Sequence, residues 1–105
     1  MGDVLIVLVT VPSPPIAARI ATALVKERLA ACVNAVPGVR SIYAWQGKVC
    51  DDRELLLVIK TTVARYPALE ARVMALHPHK VPEVIALRVK RGSEAYLKWV
   101  QETVE

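Results

Sequence analysis

The chain is expected to fold as an α+β domain with the order β-α-β-β-α-β and one further helix at the C-terminus. Three observations predict it. Val4–Val11 and Leu55–Ile59 are apolar runs of strand length. The segments after Ser13 and after Ala64 carry apolar residues at helical spacing. Between them, Gln46-Gly47-Lys48 reads as a hairpin turn joining two extended segments. The 105 residues are enough for one domain, residues 1–105, with one modest core.

Val4–Val11 reads as the first strand. Ser13-Pro14 then supplies an N-cap residue followed by proline at the first helical position, where a missing N–H costs nothing. Ile16, Ile20 and Leu24 recur at helical spacing, so the first helix is expected to run to about Leu29. Ala30-Ala31 leads into a second strand from near Cys32, which Pro37-Gly38 interrupts as a bulge or kink. Val39 to Trp45 is extended, with Ile42 and Ala44 on one face and Tyr43 and Trp45 on the other. The return strand runs from Val49 to Thr61, with an irregularity expected at Asp51-Asp52.

A second helix spans about Arg65 to Leu76, with Tyr66, Leu69, Val73 and Leu76 on one stripe, and Pro78 ends it. Glu83 to Val89 reads as the fourth strand, with Ile85, Leu87 and Val89 on one face. Gly92-Ser93 breaks the chain and caps a last helix, Glu94 to Thr103. This order is ferredoxin-like, a sandwich of helices on one sheet face. Its crossovers should be right-handed, with the first and third strands central.

A sheet covered on one face only should alternate apolar and polar residues. Here Leu5, Val7 and Val9 are apolar, and so are Ile6 and Leu8 between them; Leu55–Ile59 behaves alike. The chain is too short to cover the second face itself, so another subunit is expected there. The long second and third strands also leave free edges that favour pairing. An intertwined oligomer follows.

The formal charge is +4, but basic residues are scattered among acids, and the best cluster, Arg88-Val89-Lys90-Arg91, is one short run. That distribution argues against nucleic acid as a partner. No apolar run approaches the ~20 residues needed to span a bilayer, so no membrane partner is expected. The N-terminus does not look like a signal peptide, and two cysteines without one suggest free thiols in a reducing cytoplasm.

Enzyme signatures are absent: there is no nucleophile elbow, no glycine-rich phosphate loop and no His–Glu zinc helix, so the chain is expected not to be an enzyme. His77-Pro78-His79 places two imidazoles on one face of an extended segment, which could hold Cu(II) or Zn(II). The same pair also fits two loop histidines just past a helix end. Cys32 fits either a buried inert thiol or a soft ligand. Lys60 and Glu83, at strand ends, fit a structural ion pair. Alternatively, Lys60 holds a small anion between aromatic walls from Tyr43, Trp45, Tyr96 and Trp99. Those aromatics also fit interface anchors.

The blocks LAACVNAVPGVRSIYAWQGK (Leu29 to Lys48), ELLLVIKTT (Glu54 to Thr62), HPHKVPEVIAL (His77 to Leu87) and YLKWV (Tyr96 to Val100) occur in an order and spacing that resembles the CutA family. The likeness runs from about Val4 to Val100. It implies a cytoplasmic homotrimer serving divalent-cation tolerance and the response to metal ions, through copper or another divalent cation, with no obligatory cofactor. It also implies that motif residues gather near an intersubunit cleft, for which Tyr43, Trp45, Lys60, Glu83, Tyr96 and Trp99 are the candidates. The candidate metal ligands are His77, His79 and Cys32. Against the pattern of copper-binding members, Val9 and Leu76 stand at a cysteine and a histidine position, and His77 matches. Two other readings are a small-ligand sensor resembling the trimeric PII signalling proteins and a ligand-free trimeric scaffold.

Overall fold

The computed structural model describes residues 3–105. The elements are β1 (Val4–Val11), α1 (Pro14–Lys26), β2 (Cys32–Trp45), β3 (Lys48–Thr62), α2 (Tyr66–Leu76), β4 (Val84–Arg88) and α3 (Glu94–Thr103). They form one antiparallel sheet in the order β2-β3-β1-β4. The two unbroken apolar strands, β1 and β3, are therefore the central ones, paired from Val4–Thr62 to Val11–Leu55. This is the α+β, ferredoxin-like architecture with the extra C-terminal helix.

The core lies between the sheet and the helices. Val7, Val9 and Val11 of β1 and Leu57 and Ile59 of β3 pack against Ile20 and Leu24 of α1 and Leu69 and Val73 of α2. Full burial of each such side chain contributes roughly 1.5–3 kcal/mol. The expected stripe of α2 is present, with Tyr66 and Leu76 half-buried beside Leu69 and Val73. A second cluster, Val4, Ala31, Val100 and Val104, seats α3 at one end of the sheet. Thr61, the polar residue on the core face of β3, is fully buried and donates its hydroxyl to the Leu29 carbonyl at 2.6 Å.

Three local expectations need correction. Helix α1 stops at Lys26 rather than near Leu29, because Arg28 turns left-handed at φ +58°. Strand β3 is regular at Asp51-Asp52, which pair with Ile42 and Ser41; Arg40 and Tyr43 bind the two carboxylates from the neighbouring strand. Strand β4 is one residue shorter at each end than Glu83–Val89. The break expected at Pro37-Gly38 is present: these two residues oppose Leu55 alone, and Gly38 takes φ +79°.

Beyond the bulge, β2 and β3 continue as a two-stranded arm. It gives extents of 44 × 25 × 22 Å and a radius of gyration of 14.1 Å, against about 13 Å for a compact chain of this length. The sheet's second face is largely apolar, and among the described residues α3 covers only its Val4 end. Ile6 pairs with Leu87 and Leu8 with Ile85, and the same face continues through Val58 and Leu56. Ile85 and Leu87 are 51% and 56% exposed. Among the described residues no helix is long and apolar enough to cross a membrane.

Candidate functional site

The His77-Pro78-His79 segment follows directly from the end of α2. The His77 backbone N–H still bonds the Val73 carbonyl at 2.8 Å, after which the backbone turns extended. That turn carries the ring under the end of β1. There His77 is buried; its Nε2 donates to the Thr10 carbonyl at 2.8 Å, and its Nδ1 accepts the His79 backbone N–H at 3.0 Å. This pairing selects the Nε2–H tautomer and leaves neither ring nitrogen for a metal. The His79 ring lies 4.8 Å from it, centroid to centroid, and is exposed.

His79 and Glu83 meet Tyr43 and Trp45 at a pocket of about 840 Å³ between the 78–83 loop and the arm, from Glu54 at the arm's base to Trp45 and Gln46 at its turn. Arg40, Glu54 and Lys80 share its wall. Sequence reasoning passed over these three. Glu54 carries a signal: it has the strand parity of Leu56 and Val58, so it sets a carboxylate on the apolar second face. Arg40 is held by Asp51 in a two-pronged contact, Nε at 2.9 Å and Nη2 at 2.6 Å, which raises its pKa and lowers that of Asp51. Tyr43 donates to the Asp52 carboxylate at 2.5 Å, and this bond, followed by burial, pushes its phenol up to about 12.

The remaining candidates lie at the other end of the sheet. Cys32 pairs with Lys60, which pairs with Ile6, whereas His77 binds Thr10, four residues further along β1. At strand rise that is about 13 Å, so Cys32 does not reach the histidines. The same separation keeps Lys60 from Glu83; Lys60 donates instead to Asn34 and, at 3.4 Å, to the Val58 carbonyl. Tyr96 stacks obliquely on Trp99 with centroids 5.6 Å apart. Burial raises the Tyr96 phenol, and the Cys32 thiol beside it adds to the rise. The chain thus divides the six cleft candidates between two places, Tyr43, Trp45 and Glu83 at one and Lys60, Tyr96 and Trp99 at the other. Both cysteines are free, and among the described residues no three His, Cys, Asp or Glu side chains are grouped so as to hold a metal ion.

A family model described as CutA1 divalent ion tolerance protein matches residues 5–103. The divalent-cation tolerance protein CutA of Thermus thermophilus is 58% identical over 97 residues, 92% of this chain and 94% of that one. Protein CutA of Mus musculus is 47% identical over 104 residues, 99% of this chain; the chain spans 59% of that longer relative. The crystal structure of CutA from Xylella fastidiosa superposes with a TM-score of 0.96 at 43% identity, covering 98% of this chain and 99% of that one.

Proposed function

The chain belongs to the CutA1 divalent ion tolerance family, and on that footing we propose that it serves divalent-cation tolerance as a cytoplasmic, non-enzymatic homotrimer. The assembly rests on one observation: the second sheet face, with Ile6, Leu8, Val58, Ile85 and Leu87, is largely apolar, and beyond the Val4 end that α3 covers it stays open, with Ile85 and Leu87 exposed. A second sheet laid on it would remove that surface from water. The free edges of the arm offer further pairing.

The residues of one chain do not fit a resident metal centre, because His77 has both nitrogens committed and no three donors cluster among the described residues. Copper, or another divalent cation, is in this reading a cargo met by the assembled protein. His79 is the donor that each chain offers, and a second copy supplies the rest. Native mass spectrometry of the metal-stripped protein, titrated with Cu(II), tests this. The expected result is a species of three chains with saturable uptake, lost in His79→Ala. Uptake that persists unchanged in His79→Ala removes that residue; a trimer that takes up no copper removes the metal reading and leaves the assembly.

A further inference from the structure

The open part of the second sheet face carries opposite charges at its two ends. Along β3 the residues on that face are Glu54, Leu56, Val58 and Lys60, since Leu55, Leu57 and Ile59 turn toward the helices. The stripe reads acid, apolar, apolar, base. Beside it on β1, Thr10, Leu8 and Ile6 stand opposite Leu56, Val58 and Lys60. Ile85 and Leu87 of β4 continue the apolar surface.

Six residues at strand rise set the two charges about 20 Å apart, so they do not meet within one chain. Among the described residues neither forms an ion pair with any other group. Lys60 is half-buried and donates to two neutral acceptors, the Asn34 side chain and the Val58 carbonyl. Glu54 lines the pocket beside the 78–83 loop. Of the two cations there, Arg40 is held by Asp51, and Lys80 is exposed without an ion pair.

Covering the face changes the balance. An ammonium or a carboxylate that loses its water without a counter-ion is unfavourable. If the copies met by like ends, three Lys60 side chains would gather and repel one another. If they follow one another head to tail, the base end of each copy lies against the acid end of the next. Contacts in a threefold ring are heterologous, so the ring closes with neither charge left over.

We infer that Lys60 of each copy enters the pocket of the next and forms an ion pair with Glu54 there, so that the charges of β3 set the head-to-tail order of the ring. The pocket, about 840 Å³, admits a lysine side chain, and Glu83 adds a second carboxylate to its wall. This inference rests on the proposed assembly and not on metal uptake.

Sedimentation and native mass spectrometry of four proteins test it: the unaltered chain, Lys60→Glu, Glu54→Lys and the two changes together. The unaltered chain should be a trimer. Each single reversal sets like charges together and should shift dissociation on dilution to roughly tenfold higher concentration or more. The double reversal should recover most of that loss, because it restores opposite signs at each contact. Circular dichroism reads the folding of each variant. Where a reversal fails to fold, Lys60→Met and Glu54→Gln replace it; each should weaken assembly several-fold, and both together no more than either alone. Single variants that assemble like the unaltered chain overturn the inference, as does a double reversal no better than the singles, or additive losses in the neutral pair. Rescue of Lys60→Glu by Glu83→Lys in place of Glu54→Lys also overturns it and moves the partner to the loop. An unaltered chain that is a monomer removes the assembly reading itself, so the two failures are distinguishable.

Discussion

His77 shows how a residue's chemistry changes once its neighbours are known. Two histidines flanking a proline invite a metal reading, but the partner that decides the matter, the Thr10 carbonyl, is 67 positions away in sequence. No local pattern could reveal it. We predict that His77→Ala lowers stability by about 2–4 kcal/mol, because it opens a buried cavity and leaves the Thr10 carbonyl and the His79 N–H without partners. Denaturant unfolding should show a lower midpoint at unchanged slope. Glu54 was open to inspection as a charge in register with apolar neighbours, but its place beside the 78–83 loop at one pocket required the fold. Tyr43 gives a pH prediction. Its folded pKa lies above the ordinary 10.0, at about 12, chiefly because the phenol donates to Asp52. The contribution to stability is therefore complete below pH 10 and is lost as pH rises through about 12. Phenolate absorbance should show a late-ionising tyrosine that Tyr43→Phe removes; an unchanged titration would break the assignment.

Elements were legible where the punctuation is chemical and blurred where it is geometric. Pro37-Gly38 announced the bulge because proline cannot donate to a ladder and glycine accepts positive φ. The end of α1 carried no such mark. Arg28 sits at φ +58°, its N–H bonds the Val25 carbonyl at 3.1 Å, and the Leu29 N–H bonds the Leu24 carbonyl at 2.9 Å. This is a Schellman cap closed by arginine where glycine is usual, with Leu24 and Leu29 both in the core beneath it. Apolar spacing alone ran past the cap to Leu29. Since a side chain at positive φ costs about 1–2 kcal/mol and Arg28 is exposed, Arg28→Gly should stabilise the protein. The net gain should be about 0.5–1 kcal/mol once glycine's greater unfolded entropy is counted. A rise in thermal midpoint checks it; a fall would mean that the arginine side chain contributes more than its backbone strain costs. Asp51-Asp52 erred in the opposite direction. Two adjacent acids suggested a break, yet Arg40 and Tyr43 on β2 supply cross-strand partners that keep the ladder regular.

At the scale of the molecule, the informative pattern was the absence of alternation in β1 and β3. Helices α1 and α2 account for one apolar face and α3 for only the Val4 end of the other, so the strands encode a surface that the single chain leaves largely open. Which elements lie on that face, and how many copies take part, depends on shape rather than on periodicity, and no run of residues states it. Leu87 offers a clean test. It stands on edge strand β4 opposite Ile6 and is 56% exposed in the single chain. A charge there should cost the isolated fold little, within about 0.5 kcal/mol. If the face is buried between subunits, the same charge must be desolvated without a partner, a penalty of several kcal/mol at each repeated contact. Leu87→Glu should therefore keep the helix and sheet signature in circular dichroism while sedimentation shifts from about three times 11.5 kDa toward one. A variant that still sediments with the unaltered protein would place the contacts elsewhere. The arm, with Ile42 63% and Val49 81% exposed, would then be the surface left to hold the copies together.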